Sequence, residues 1–175
     1  MKVRLSEYDE NWVQMYDDEV QILKGIFGDN VIKFEHFGST SVPGMKAKPV
    51  IDMMCLVKGI KKIDSFNDHM RSLGFDIAGE WGIQGRRLFR KGGETRTHHI
   101  HVYQYGNPQI ERHLVLRDYL RTHPDEVERY RSLKEELAQR YDDTAFYSKA
   151  KKPFVKDLEL RALNWFENQE PKKVY

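Results

Sequence analysis

His99 and His101, Asp52, and the small-residue string Gly38-Ser39-Thr40-Ser41 are the residues of this chain whose types and spacing suit chemistry. Asp52 interrupts the apolar run Val50-Ile51-Asp52-Met53-Met54-Cys55-Leu56-Val57, where a carboxylate is costly unless it binds something. Residues i and i+2 of a strand share a face, so His99 and His101 point the same way, as metal ligands often do. If their strand lies beside Asp52, the set Asp52, His99 and His101 can hold a divalent ion, with Asp52 and His101 as the catalytic candidates. Two imidazoles favour Zn²⁺, Mn²⁺ or Fe²⁺ over Mg²⁺, which prefers oxygen. The alternative is that the imidazoles hydrogen-bond across the sheet or contact phosphate directly. Gly38, Ser39, Thr40 and Ser41 carry little bulk, so backbone N–H groups and hydroxyls can approach an anion closely. The plainer alternative there is a turn. Lys48, Arg87, Arg117 and Lys151 are the basic residues expected to meet a phosphate, although a helical arginine such as Arg117 can equally pair with acids. His36, next to the Gly-Ser turn, is a further candidate; His98 faces away from its two neighbours.

Periodicity outlines the elements that must position these groups. Residues 9–27 put Trp12, Met15, Tyr16, Val20, Leu23, Ile26 and Phe27 on one helical face. Residues 31–37 form a first strand, and Lys48-Pro49 leads into a second that carries Asp52. Residues 60–73 read as an amphipathic helix and 75–77 as a short strand. Residues 86–91 and 97–105 read as a hairpin turning at Gly92-Gly93-Glu94, with Arg87, Phe89 and Lys91 on one face of its first arm. From Asn107-Pro108 onward the pattern is helical. Helices are expected over 110–121 and from Pro124 to Tyr141, then a piece over 144–151 and a last helix opened by Pro153. The polar stretch 168–175 reads as a frayed tail. No repeat or linker divides the chain, so one α+β domain over 1–175 is expected, with a mixed sheet first and a helical second half.

A Gly-Ser pair after a strand, followed by an acid-apolar-acid pattern on the next strand, marks the nucleotidyltransferase superfamily. There the loop holds a triphosphate while carboxylates hold one or two Mg²⁺. Gly38-Ser39 and Asp52 match; Met54 stands where the second acid belongs, and a thioether is no ligand for Mg²⁺. More specifically, the chain resembles the GrpB family, a branch of that fold. The resemblance rests on Glu35-His36-Phe37-Gly38-Ser39-Thr40-Ser41-Val42-Pro43-Gly44 and Ala47-Lys48-Pro49-Val50-Ile51-Asp52. It continues through Arg87-Leu88-Phe89-Arg90-Lys91, His99-Ile100-His101-Val102, Arg117-Asp118-Tyr119-Leu120-Arg121 with His123-Pro124, and Ala150-Lys151 before Phe154-Val155. It implies a nucleotidyltransferase-like mixed sheet with an N-terminal helix and a helical C-terminal half, and a pocket for a nucleotide or another phosphorylated small molecule. It also implies that the missing second acid is a family trait. Two functions follow as expectations: metal-assisted nucleotidyl transfer using Mg²⁺, Mn²⁺ or Zn²⁺, or a non-catalytic accessory or sensor that keeps the phosphate site. The second draws on family members fused to dephospho-CoA kinase. A histidine-triad hydrolase ranks last, because Tyr103 stands where a further histidine is needed.

Composition narrows the classes further. Of 175 residues, 32% are charged but the net charge is only +2, so no global field recruits nucleic acid or anionic lipid. A protein partner stays open. The single Cys55 excludes an intrachain disulfide and sits in an apolar run, where packing is its expected role. No stretch approaches the roughly 20 apolar residues of a membrane span, and the N-terminus is helical and acidic rather than signal-like. The cytoplasm is the expected location.

Overall fold

Strands that read as continuous apolar runs need cover on both faces. The apolar segment Ile51–Val57 (β2) and the alternating segment His98–Gln104 (β5) lie parallel and side by side in a computed structural model that describes residues 2–175. Their register pairs Asp52 with His99 and Met54 with His101. Val31–Phe37 (β1) adds antiparallel to β2, and Arg87–Lys91 (β4) adds antiparallel to β5. Phe75–Gly79 (β3) closes the far edge, giving a five-stranded mixed sheet in the order β1-β2-β5-β4-β3.

The chain packs as two compact units. One holds Glu10–Ser41 and Pro49–Asn107, and therefore the whole sheet. One face of this sheet is covered by the helix Asn11–Phe27 (α1) and by the short helix Asn67–Ser72 (α2). There Leu23 and Phe27 pack with Met53, Cys55, Val57, Phe89, Ile100 and Val102. Burial of such side chains contributes about 1.5–3 kcal/mol each and fixes which side of every strand points inward. The opposite face therefore receives Asp52, His99, Arg90 and Asp76 in one register row, and Met54, His101 and Leu88 in the next.

The other unit holds the segment ending at Asp9, Val42–Lys48 and Pro108–Tyr175. Its helices are Pro108–Thr122 (α3), Pro124–Arg140 (α4) and Thr144–Glu167 (α5). Val42 and Met45 join Val115, Tyr119, Leu158 and Phe166 in its core. Tyr175, at the end of the stretch read as frayed, donates from its hydroxyl to Asp118 at 2.5 Å.

The α+β class, the mixed sheet and the helical second half agree with the sequence. Three local expectations change. Residues 60–73 form a 3₁₀ segment, Lys61–Phe66, before the single-turn-plus helix α2. The short strand over 75–77 extends to Gly79. Pro153 does not open a helix but lies inside α5, because it removes only the bond that would reach back to the Lys149 carbonyl while the turns on either side continue. Among the described residues no helix is long and apolar enough to cross a membrane.

Candidate functional site

The site begins where β1 ends. Gly38 has φ +73°, a conformation that costs glycine little, and it brings the turn directly against Asp52. A Cβ at this position would lie 2.7 Å from Asp52 Oδ2. The 3₁₀ turn Ser39–Ser41 follows. Ser41 Oγ donates to the Gly38 carbonyl at 2.6 Å, and Thr40 Oγ1 is 2.9 Å from His36 Nε2, with both residues buried. These two hydroxyls serve the turn itself. The third loop hydroxyl belongs to half-buried Ser39. Three residues of 3₁₀ turn carry no helix dipole of consequence.

Asp52 is the convergence point. His101 Nε2 lies 3.1 Å and His99 Nδ1 3.7 Å from the same oxygen, Asp52 Oδ1. The Phe37 ring meets the His101 ring edge-on at 4.9 Å. The Asp52 side chain keeps about a third of its surface, 33%, accessible. Burial acts to raise its pKa, but the His101 hydrogen bond and the nearby His99 imidazole outweigh it and hold the carboxyl well below the ordinary carboxylate range. Asp52 is therefore an anion at any physiological pH.

The proton on His101 follows from its other neighbour. Arg86 Nη1 lies 3.3 Å from His101 Nδ1, and a guanidinium can only donate. Nδ1 thus accepts, and Nε2 carries the proton that it donates to Asp52. Arg86 is itself buried, its Nη2 donating to the Trp81 carbonyl at 2.9 Å and its Nε to that of Glu80 at 3.2 Å.

One carboxylate oxygen and two imidazole nitrogens, with ligand atoms within 4.8 Å of one another, form a donor set that fits a divalent cation. The mix of nitrogen and oxygen suits Zn²⁺ or Mn²⁺ better than Mg²⁺. A cation held at Nε2 would send that proton to Nδ1, where Arg86 cannot accept it. Cation binding would therefore compete with the Arg86–His101 hydrogen bond, whereas metal-bound histidines ordinarily donate their second N–H to an acceptor.

The other sequence candidates lie elsewhere. Arg87 is a correction: it pairs in register with the core residue Val102, on the face opposite Asp52, and its Nε donates to Asp64 at 2.7 Å. Period-two alternation forces this, since Phe89 on the same side is core. His36 also faces away from Asp52, stacking on Tyr16 of α1 at 4.9 Å. His98 reaches the Met15 carbonyl at 3.2 Å. In the helical unit, Lys48 and Lys151 flank the Tyr147 ring, with Nζ at 5.6 and 5.4 Å from its centroid. Near both lies the amine of buried Lys134, donating to the Lys46 carbonyl at 3.0 Å. Arg117 is buried and bonded through Nε to Asp118 at 2.9 Å. Sequence reasoning missed Arg86, Arg90 and Trp81. The signal was present, since the alternation that sends Phe89 to the core sends Arg86 and Arg90 to the histidine side.

Comparison with known proteins bears on this arrangement. The profile of the family described as GrpB protein matches residues 2–161. UPF0157 protein YqkA of Bacillus subtilis is 45% identical over 94% of this chain, although the chain spans only 48% of that relative's length. Glutamate-rich protein GrpB of Alkalihalophilus pseudofirmus is 34% identical, with 90% of this chain and 94% of that one covered. A dephospho-CoA kinase of Mycolicibacterium paratuberculosis is 25% identical over 95% of this chain and 47% of its own length. The crystal structure of conserved protein GrpB from Enterococcus faecalis superposes with a TM-score of 0.90 at 42% identity, covering 94% of this chain and all of that one. The Cid1 poly(U) polymerase, in an H336N mutant bound to MgATP, gives a TM-score of 0.51 at 13% identity over 77% of this chain and 44% of its own, a likeness of fold alone.

Proposed function

The chain belongs to the GrpB family, and from that premise we propose that it binds a nucleotide or another phosphorylated small molecule on the Asp52 face of its sheet, with a divalent cation held by Asp52, His99 and His101. The carrying observation is the convergence of two imidazoles on one ionised carboxylate oxygen directly against the Gly38 turn. A bound cation would supply positive charge to neutralise and orient phosphate oxygens. The chain's own residues supply the rest. Asp52 stays anionic, Gly38 admits the turn to within contact of it, and Ser39 with the turn amides offers donors. Lys48 and Lys151 are proposed as phosphate contacts of the helical unit in their own right. Metal-assisted nucleotidyl transfer is the reaction consistent with the fold, and fold likeness by itself assigns no chemistry.

One observation favours the second reading, a non-catalytic accessory or sensor. Met54, at the position of the superfamily's second acid, is fully buried and in register with His101, so no second carboxylate faces the site from that position. The dephospho-CoA kinase relative, matched over about half its length, supplies the context for such a module.

Thermal unfolding with ATP, UTP, inorganic tripolyphosphate and coenzyme A precursors, each with and without Mn²⁺, Zn²⁺ or Mg²⁺, tests the proposal. The expected result is a melting shift for a phosphorylated compound with Mn²⁺ or Zn²⁺ that exceeds the sum of the separate shifts. Additive or absent shifts for every pair would remove it. Release of pyrophosphate from ATP would select the enzyme over the accessory module.

A further inference from the structure

Trp81 is the exposed aromatic residue beside this site, and its setting is unusual. The residue is 63% exposed, and its φ of +44° is the one positive value outside glycine among the described residues. A bulky residue in that conformation is strained unless its surroundings fix it. Here they do. Arg86 donates to the Trp81 carbonyl from one side, and Gly85 N–H donates to Glu80 Oε2 at 2.6 Å to close the loop. The guanidinium of Arg90 lies over one face of the indole, 4.6 Å from the ring centroid. Arg90 is in turn anchored by a hydrogen bond to Asp76.

The anchoring arginines adjoin the residues of the cation site. Arg90 is the register partner of His99, which is the register partner of Asp52. Arg86 bridges the Trp81 carbonyl to His101 Nδ1. Trp81 thus sits above the strand two steps across the sheet from Asp52, roughly 10 Å away at ordinary strand spacing. That is the scale on which a nucleotide separates its base from its phosphates. One indole face is covered by a cation while the residue stays largely exposed, an arrangement that suits stacking by a planar π-system.

We propose that Trp81 is the stacking platform for the base of a nucleotide whose phosphates lie at Asp52, His99 and His101, so that the ligand class is a nucleotide rather than a phosphate ester without an aromatic ring. This rests on the functional reading above and narrows it. Arg90 and Arg86 act as positioning residues, holding the indole at its height over the sheet. The base is recognised by its face, which every nucleobase has, so the platform selects for an aromatic ring and not for one base.

The test compares ATP with inorganic tripolyphosphate, which carries the phosphates without a base, each titrated calorimetrically with Mn²⁺ into the full chain. Two variants accompany it: Trp81→Asn, because asparagine tolerates positive φ, and Trp81→Phe, which retains a ring. The expected result is that ATP binds more tightly than tripolyphosphate, and that Trp81→Asn weakens ATP by about 5- to 150-fold, the usual worth of one base–aromatic stack, while leaving tripolyphosphate unchanged. Trp81→Phe should keep most of the preference. ATP should also quench intrinsic fluorescence in the parent and not in Trp81→Phe, since Trp12 is buried and Trp165 half-buried in the helical unit. Tripolyphosphate binding with an ATP affinity unchanged in Trp81→Asn would overturn the platform and leave the phosphate site standing. Absence of binding by both compounds would overturn the phosphate reading and the platform with it.

Discussion

Replacing Gly38 by alanine probes a backbone position pressed directly against the Asp52 carboxylate. Two costs add. At φ +73° an alanine carries about 1–2 kcal/mol of left-handed strain. The new Cβ would also lie 2.7 Å from Asp52 Oδ2 and 3.1 Å from its Cβ, so the carboxylate must turn away from it and loosen its bond to His101. Crowding of this kind costs typically a further 1–3 kcal/mol. Gly74→Ala is the matched control in the same unit, since Gly74 has φ +89° and nothing within 4 Å of an added methyl, leaving strain as the only cost. Urea denaturation should place Gly38→Ala below Gly74→Ala by at least about 1 kcal/mol, equivalent to roughly 2–4 °C in melting temperature for a chain of this size. Mn²⁺ should stabilise Gly74→Ala as it does the parent and stabilise Gly38→Ala less. Equal stability of the two variants, or undiminished Mn²⁺ stabilisation of Gly38→Ala, would refute the claim that Gly38 sets the position of the Asp52 carboxylate.

Four further outcomes follow from named contacts. Arg86→Gln replaces the obligate donor at His101 Nδ1 with a side chain that can accept, and should tighten Mn²⁺ or Zn²⁺ binding about tenfold by calorimetry; weaker binding would contradict the competition between cation and arginine. Lys134 is buried at 2% exposure, and burial, followed by the charges of Lys151 and Lys48, pushes its pKa far below the usual lysine value. Because the unfolded state then binds more protons, its penalty weighs at neutral pH and fades as pH rises toward the unfolded value of about 10.4, so Lys134→Met should gain stability at pH 7 and lose that advantage near pH 10 in urea melts. Burial raises the pKa of the Cys55 thiol, so a thiol reagent should modify it only at the rate of unfolding, and rapid labelling of the native protein would refute that. Arg87→Ala breaks a bridge to half-exposed Asp64 on the other face, so calorimetry should find ligand binding unchanged and denaturation a loss of at most about 1 kcal/mol.

The legible parts of this protein are those that a period or a residue type decides. Alternation places His99 and His101 together and sends His98 the other way, to α1. That β2 and β5 are neighbours, so that Asp52 meets both imidazoles, depends on a parallel pairing across more than forty residues that no local pattern encodes. The arginines show a rule applied incompletely. Arg87 shares its face with Phe89, and Phe89 belongs with Ile100 and Val102 in the core, so Arg86 and Arg90 were the residues left for the histidine side. Hydroxyl direction was not legible at all. Thr40 and Ser41 look like phosphate donors as letters, yet their positions in a 3₁₀ turn aim them at His36 and at the Gly38 carbonyl. Pro153 reads as a helix start because it usually is one, and only the continuity of flanking turns places it inside α5.

The proposed cation site, with phosphate bound against one divalent ion at Asp52, His99 and His101, is open to direct measurement. Electron paramagnetic resonance of Mn²⁺ titrated into the full chain and into Asp52→Asn, each with and without tripolyphosphate, reads cation binding directly. One bound Mn²⁺ in the parent is expected, tightened by tripolyphosphate and lost in Asp52→Asn. Mn²⁺ that stays free in the parent, or that binds Asp52→Asn equally well, would contradict it.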